Sequence, residues 1–178
     1  MLTQDNVYVS DSGVQLKLKR VNSFLVLQAQ QQVEMPQVPV VYLEDKGREE
    51  ENPNDPNYLR AVQEANIKRA DRSINLLLGF GTEVLNPLPQ GIADVADEEW
   101  VTDLTEMLGV EIPTNKKLRH AYWLKAIALT DQEIVDVVNG ITALSGLVKE
   151  EAAEQAADTF PSDEGRDTIG AVSNTEQS

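Results

Sequence analysis

The sequence predicts an α+β protein, predominantly α-helical, in which a small N-terminal β-hairpin or sheet is followed by about five helices and a disordered acidic tail. Three observations predict this fold class: an alternating apolar pattern near the N-terminus, amphipathic stretches with helix-cap signals beyond it, and a polar, acid-rich C-terminus. The chain has 178 residues and no cysteine, so its core must form without disulfides, which a chain of this length can do.

The first predicted element is a β-hairpin. Val14, Leu16 and Leu18 alternate with polar residues, which is the period of two typical of a half-buried strand. Residues 7–9 are also predicted to form a strand, and Asp-Ser-Gly at 11–13 supplies the turn between the two. Because a lone hairpin is marginally stable in water, its apolar face is expected to pack against other elements.

A helix is predicted to follow the hairpin. It begins at Asn22 or Ser23, either of which can cap it, and runs to about Val33. Residues 40–43 then predict a third strand beside the hairpin, and residues 48–57 predict a polar loop.

The clearest helix of the sequence begins after this loop. Asp55 is placed as its N-cap, and Pro56 occupies the first helical position, where a missing N–H costs nothing. Apolar residues then recur at helical spacing until Gly79 and Gly81 end the helix near Phe80.

The segment Asn-Pro-Leu-Pro-Gln-Gly at 86–91 is expected to separate two lobes, because prolines and glycines at this density interrupt regular structure. The predicted organisation is an N-terminal lobe of residues 1–85, a helical lobe of residues 92–161, and a disordered acidic tail of residues 162–178. Helices are expected from Asp97, after Pro113, from a capping box at Thr130 to about Val148, and in an alanine-rich stretch ending at Phe160.

The charge of the chain limits its partners. Thirty acidic and fifteen basic residues give a formal net charge of −15. Nucleic acid is not an expected partner, because its binders neutralise phosphates with cations, and anionic membranes are disfavoured for the same reason. The sequence shows no recognisable signal peptide, and no apolar stretch approaches the ~20 residues that a membrane span needs. We expect a soluble, cytoplasmic protein.

The residue inventory predicts neither an enzyme nor a metal or cofactor site. His120 is the single histidine, so a two-histidine metal site is impossible, and a structural or surface role is expected for it. The acid-rich residues 44–55 lack the glycine spacing of a calcium loop and are interrupted by proline, so a solvated loop is expected. The expected partner is therefore another protein.

A basic run and an aromatic group in the second half each allow two interpretations. Residues 116–119 with Lys125 form either a solvated helix face or a docking face for an acidic partner or for the protein's own tail. Trp100, Tyr122 and Trp123 are expected in the core, with an interface anchor as the alternative for the two tryptophans.

Several strings of the sequence resemble one family. They are Pro-Val-Val-Tyr at 39–42, Glu-Glu-Glu-Asn-Pro-Asn-Asp-Pro-Asn-Tyr-Leu at 49–59, Leu-Leu-Gly-Phe-Gly-Thr-Glu-Val at 77–84, Ala-Leu-Thr-Asp-Gln-Glu-Ile at 128–134 and Leu-Ser-Gly-Leu at 144–147. These strings resemble the tail assembly chaperones of long-tailed bacteriophages, which are encoded just before the tape-measure protein, and the resemblance extends over most of residues 10–160.

The resemblance implies a function in the host cytoplasm without catalytic residues: binding of the aggregation-prone tape-measure helix, of tail-tube subunits, or of both during tail assembly. The alternative is a structural tail or neck protein that stays in the virion. Apolar residues beside the core-facing stripes of the two amphipathic helices are the candidates for partner binding, namely Leu59, Leu76, Leu78, Phe80, Leu147 and Val148.

Overall fold

A computed structural model describes residues 6–147, which form one compact unit of five α-helices and two small antiparallel sheets. The α+β, mainly helical fold class is therefore confirmed. The elements in chain order are β1 (Val7–Val9), β2 (Gln15–Leu18), α1 (Ser23–Gln31), β3 (Val40–Leu43), β4 (Arg48–Glu51), α2 (Pro56–Gly81), β5 (Thr82–Leu85), α3 (Glu99–Leu108), α4 (Lys116–Trp123), a π-helical turn (Leu124–Ala128) and α5 (Asp131–Ser145).

The predicted N-terminal hairpin is confirmed. β1 and β2 pair antiparallel, and the side chains of Leu16 and Leu18 are buried while those of Gln15 and Lys17 are exposed, as the alternation requires. The turn of the hairpin contacts the distant α5, because the backbone N–H of Asp11 donates to Oε1 of Glu133 at 2.6 Å. The hairpin thus joins the core through both its apolar face and its turn.

The prediction that residues 40–43 form the third strand of this sheet was wrong. β5 pairs with β2 instead, with Leu18 opposite Thr82, so the strand order is β1-β2-β5. β3 pairs with β4, and residues 48–51 are therefore a strand rather than part of a polar loop. Gly47 has a φ of 63° in the intervening turn, which lets the chain reverse directly into β4.

One core joins the two predicted lobes. Leu16 and Leu78 from the first lobe, and Trp123 and Ile141 from the second, belong to the same buried cluster. The irregular segment 86–91 therefore crosses the surface of a single unit and does not separate two cores. The alanine-rich helix predicted to end at Phe160 and the predicted disordered tail of residues 162–178 lie outside the described residues.

The caps of the long helices agree with the sequence. Oδ1 of Asp55 accepts from two backbone N–H groups at the start of α2, and Thr130 and Glu133 form the predicted capping box of α5. α5 ends at Ser145, three residues before the predicted end, because Gly146 adopts the left-handed conformation that closes a helix.

α2 and α4 approach each other closely at Gly79. A Cβ at this position would lie 2.7 Å from the backbone carbonyl oxygen of Lys117, so a glycine is required for the helices to be this close. The contact holds α4 beside the C-terminal half of α2, while α1 packs on another part of α2. The space between these three helices is a groove on the surface of the unit.

Candidate protein-binding groove

Two of the predicted binding residues lie in a groove between α1, α2 and α4. Phe80, with 47% of its surface exposed, lines the groove together with the half-buried Leu76. Leu59 is 52% exposed but lies near the start of α2 and is not part of the groove lining. The structure therefore brings Leu76 and Phe80 together and leaves Leu59 apart.

The prediction that Leu78 binds a partner was wrong. Its side chain is 0% exposed and belongs to the core cluster, because the core-facing stripe of α2 includes this position. Leu147 is half-buried and packs against the same core. Val148 lies outside the described residues.

The groove has a volume of about 720 Å³. Its apolar lining comes from all three helices and from the segment before α4, so it forms only in the folded protein. The apolar lining residues are Leu25, Ala29, Leu76, Phe80, Pro113, Leu118 and Tyr122.

α1 is unusual because none of its residues is buried. Polar contacts hold it on α2: Gln30 donates to Oγ of Ser73 at 3.2 Å, and Arg72 donates to Oε1 of Gln32 at 2.8 Å. With its backbone fixed this way, α1 keeps several apolar side chains at the surface. The exposed ones are Phe24, Leu25 and Leu27.

A second groove, of about 800 Å³, adjoins the first along α2. The two share Gln32, Asp71 and Arg72 in their linings, and we refer to them together as the α2 furrow. The α2 residues that line the furrow extend from Ala61 to Phe80, which at about 1.5 Å per residue is roughly 28 Å of helix. The furrow is therefore as long as a helix of about five turns.

The charges of the groove between α1, α2 and α4 are mainly positive, whereas the second groove is lined by Glu34 and Glu64 as well as by Lys68. Asp71 is neutralised by Lys125 at 3.0 Å. Within residues 6–147, neither Arg72 nor Lys117 has a carboxylate within ion-pair distance. The ammonium of Lys117 lies 5.5 Å from the centre of the Phe80 ring, so a positive charge lies beside the apolar lining at this edge of the furrow.

Asn75 places a polar group at the base of the furrow. Its side chain is 6% exposed, and its Nδ2 donates to Oδ2 of Asp71 at 2.9 Å. Its buried Oδ1 has no hydrogen-bond partner among the described residues. Buried acceptors are almost always satisfied in folded proteins, so this amide is an exception within the lining.

The predicted basic run is divided by the fold. Lys117 and Leu118 line the furrow, whereas Arg119 turns away and donates to the backbone carbonyls of Val95 and Asp97. Arg119 also pairs with Glu98 at 2.9 Å. The run therefore contributes one cation to the furrow and uses another to hold the irregular segment before α3.

The aromatic residues are divided in a similar way. Trp100 and Trp123 are buried in the core, and Nε1 of Trp123 donates to the carbonyl of Ala93 at 2.8 Å. Tyr122 is half-buried and lines the furrow. The core interpretation is confirmed for both tryptophans.

His120 has a structural environment. Thr82 donates its single hydroxyl proton to the carbonyl of Leu78, so Nε2 of His120 must donate to Oγ1 of Thr82, 2.8 Å away. The ring stacks on Trp123 at 6.0 Å. Burial, assisted by the charge of Lys117, lowers the pKa of His120 from 6.5 to about 4, so the ring is neutral at pH 7.

Sequence reasoning missed Leu25 and Tyr122 as lining residues, and it included Leu118 only within the basic run that was one possible docking face. The sequence signal for Leu118 was its position in the basic run. An apolar residue between a lysine and an arginine is typical of a helix edge that contacts both solvent and an apolar partner. Leu25 gave no such signal, since its exposure depends on how α1 packs on α2.

Within residues 6–147, no group of three His, Asp or Glu side chains is placed to hold a metal ion. No helix of this part of the chain is long and apolar enough to cross a membrane. Comparison of the chain with protein-family models, with curated proteins and with solved structures gives no match.

Proposed function

We propose that this protein is a tail assembly chaperone of a long-tailed bacteriophage, and that its α2 furrow binds an amphipathic helix of the tape-measure protein or of a tail-tube subunit. The single observation that carries the proposal is the furrow itself: two adjoining grooves with mixed apolar and polar linings that together follow roughly 28 Å of α2, on a protein of charge −15. The class of partner comes from the sequence resemblance.

The shape of the furrow suits a helical partner. Helix-in-groove recognition needs an apolar channel that accepts side chains spaced three and four residues apart on one helix face. Leu25 on one side and Leu118 on the other are both more than a third exposed, so each can contact an inserted side chain. The α2 residues of this groove run from Asp71 to Phe80, roughly 14 Å, which suits a partner helix of about two to three turns; the Arg72–Gln32 hydrogen bond lies where this groove meets the second one.

The charges of the groove lined by Leu25 and Leu118 favour a helix that carries acids beside its apolar stripe. Arg72 and Lys117 lack carboxylate partners in the described part of the chain, and a bound helix can supply them. The strong negative charge of the rest of the chaperone would keep the complex in solution while the apolar helix surface is covered.

Co-expression with a fragment of the tape-measure protein, which the resemblance places immediately downstream, tests the proposal. The fragment is expected to become soluble and to co-purify at moderate salt, because the contact is mainly apolar. The double variant Leu25→Asp/Leu118→Asp should reduce co-purification by at least about tenfold, since it places charges in the apolar lining.

The matched control is Leu27→Asp/Met107→Asp, which adds the same charge at exposed apolar positions outside the furrow lining. It should bind the fragment like the wild type. Equal loss in both variants, or no co-purification of the wild type, would contradict the chaperone proposal. Mass spectrometry of purified virions distinguishes the alternative: stoichiometric recovery of the protein would favour a structural virion component.

A further inference from the structure

The β3–β4 hairpin carries an exposed mixed face that the furrow does not involve. Val40 pairs with Glu51 across the hairpin, and Tyr42 pairs with Glu49. Directly paired residues of antiparallel strands lie on the same face, with Cβ atoms roughly 5 Å apart. We call these four residues the hairpin face; all four are exposed, Val40 by 55% and Tyr42 by 62%.

The two faces of the hairpin differ in how their acids are balanced. On the opposite face, Glu50 pairs with Lys46 at 3.1 Å and with Arg48 at 2.6 Å. Glu49 and Glu51 have no such partner among residues 6–147. The hairpin face therefore presents two apolar side chains next to two carboxylates that no nearby cation neutralises.

The stability of the hairpin does not explain this face. No other helix or strand packs extensively on β3 or β4 in the described part of the chain. A two-stranded hairpin is marginally stable alone, and exposed Val and Tyr side chains add little to it without a covering surface. Tyrosine is also among the residues enriched at the centres of protein interfaces.

We propose that the hairpin face is a second docking surface, which binds a basic amphipathic segment of another protein. Apolar side chains of the segment pack on Val40 and Tyr42, and its lysines or arginines pair with Glu49 and Glu51. A second copy of this chain is a poor occupant, because face-to-face docking would bring four unneutralised carboxylates together. This inference is independent of the α2 furrow, whose edge is cationic.

Fluorescence anisotropy with a labelled peptide tests the proposal on the full chain. The probe is a peptide of about 18 residues containing leucine and lysine only, with leucine at helical spacing. The variant Glu49→Gln/Glu51→Gln should weaken its binding about fivefold at low salt, the effect of losing two exposed ion pairs. The same peptide with glutamate in place of lysine should not bind this face.

Glu106→Gln/Glu111→Gln is the matched control, since it removes the same charge from two exposed glutamates elsewhere. Comparing the two glutamine variants distinguishes binding at the hairpin face from nonspecific attraction of the lysine peptide to an acidic protein. Tyr42→Ser should also weaken binding, whereas Met107→Ser, at another exposed apolar position, should not. Equal affinities of the two glutamine variants, or no measurable binding of the lysine peptide, would overturn the proposal.

Discussion

The two hairpins of this protein have opposite environments. β1–β2 is extended by β5 and covered by the core, and its turn is fixed to α5 through Asp11 and Glu133. Within residues 6–147, β3–β4 has no third strand and is exposed on most of its surface. The difference shows that a hairpin in this fold is stabilised by what covers it, and that the apolar residues of the uncovered hairpin do not belong to the core.

The largest expected difference between the hairpins is in side-chain truncation. Leu16→Ala, in β2, should reduce the free energy of unfolding by about 2–5 kcal/mol, because it leaves a cavity in the core. Val40→Ala, in β3, should change it by less than about 1 kcal/mol, the span of strand preference at an exposed site. Urea unfolding followed by circular dichroism measures both. Similar losses in the two variants would mean that β3–β4 is covered in solution.

The second prediction concerns pH and the packing of α4 on α2 near the first hairpin. Between about pH 6.5 and pH 4 the unfolded chain protonates His120 while the folded chain does not, so the free energy of unfolding should fall as the pH is lowered. The pKa difference corresponds to at most about 3 kcal/mol. His120→Gln keeps a donor for Thr82 but cannot titrate, and should flatten this dependence.

The measurement is urea unfolding of the wild type and of His120→Gln at intervals between about pH 6.5 and pH 4. The carboxyl pKa of Glu133 is also lowered: burial raises it, but the hydrogen bonds from Thr130 and Asp11 outweigh that effect. Its contribution is lost as the pH falls from the ordinary carboxyl pKa of 4.5 towards the lowered one, so it overlaps the effect of His120 only below about pH 5. An unchanged slope in His120→Gln would show that other groups govern stability in this range.

The smallest expected effect concerns the anchoring of the first hairpin turn. Glu133 accepts from the backbone N–H groups of Asp11 and Thr130 through its two carboxylate oxygens. Glu133→Gln replaces one acceptor oxygen with an NH₂ group facing a donor, which should cost about 1–3 kcal/mol. Amide hydrogen exchange at Asp11 should accelerate, while exchange in the β3–β4 turn should stay unchanged. Equal exchange rates at Asp11 would contradict an anchoring role.

Much of the fold could be predicted from local patterns. The alternation of Leu16 and Leu18 predicted β2, the Asp55-Pro56 pair predicted the start of α2, and Thr130 with Glu133 predicted the capping box. Each of these signals acts between residues close in sequence, so no tertiary information was needed.

The candidate site was less predictable. Leu76, Leu78 and Phe80 lie within one turn and a half of α2 and look equivalent in sequence, yet Leu78 is in the core and Phe80 in the furrow. Their difference depends on the direction from which α4 approaches Gly79. That direction is set by contacts between residues about forty positions apart, which no local pattern encodes.

The sequence by itself determined the class of fold, the caps and turns, and the absence of cysteine together with the strong negative charge. These follow from residue type and short-range spacing. The tertiary structure decided which strand completes the first sheet, that residues 48–51 pair with β3, and which apolar side chains remain exposed. The physical reason is that strand pairing and burial depend on competition among segments that are distant in sequence. β5, which follows the long α2 helix directly, pairs with the open edge of β2, whereas β3 pairs with β4.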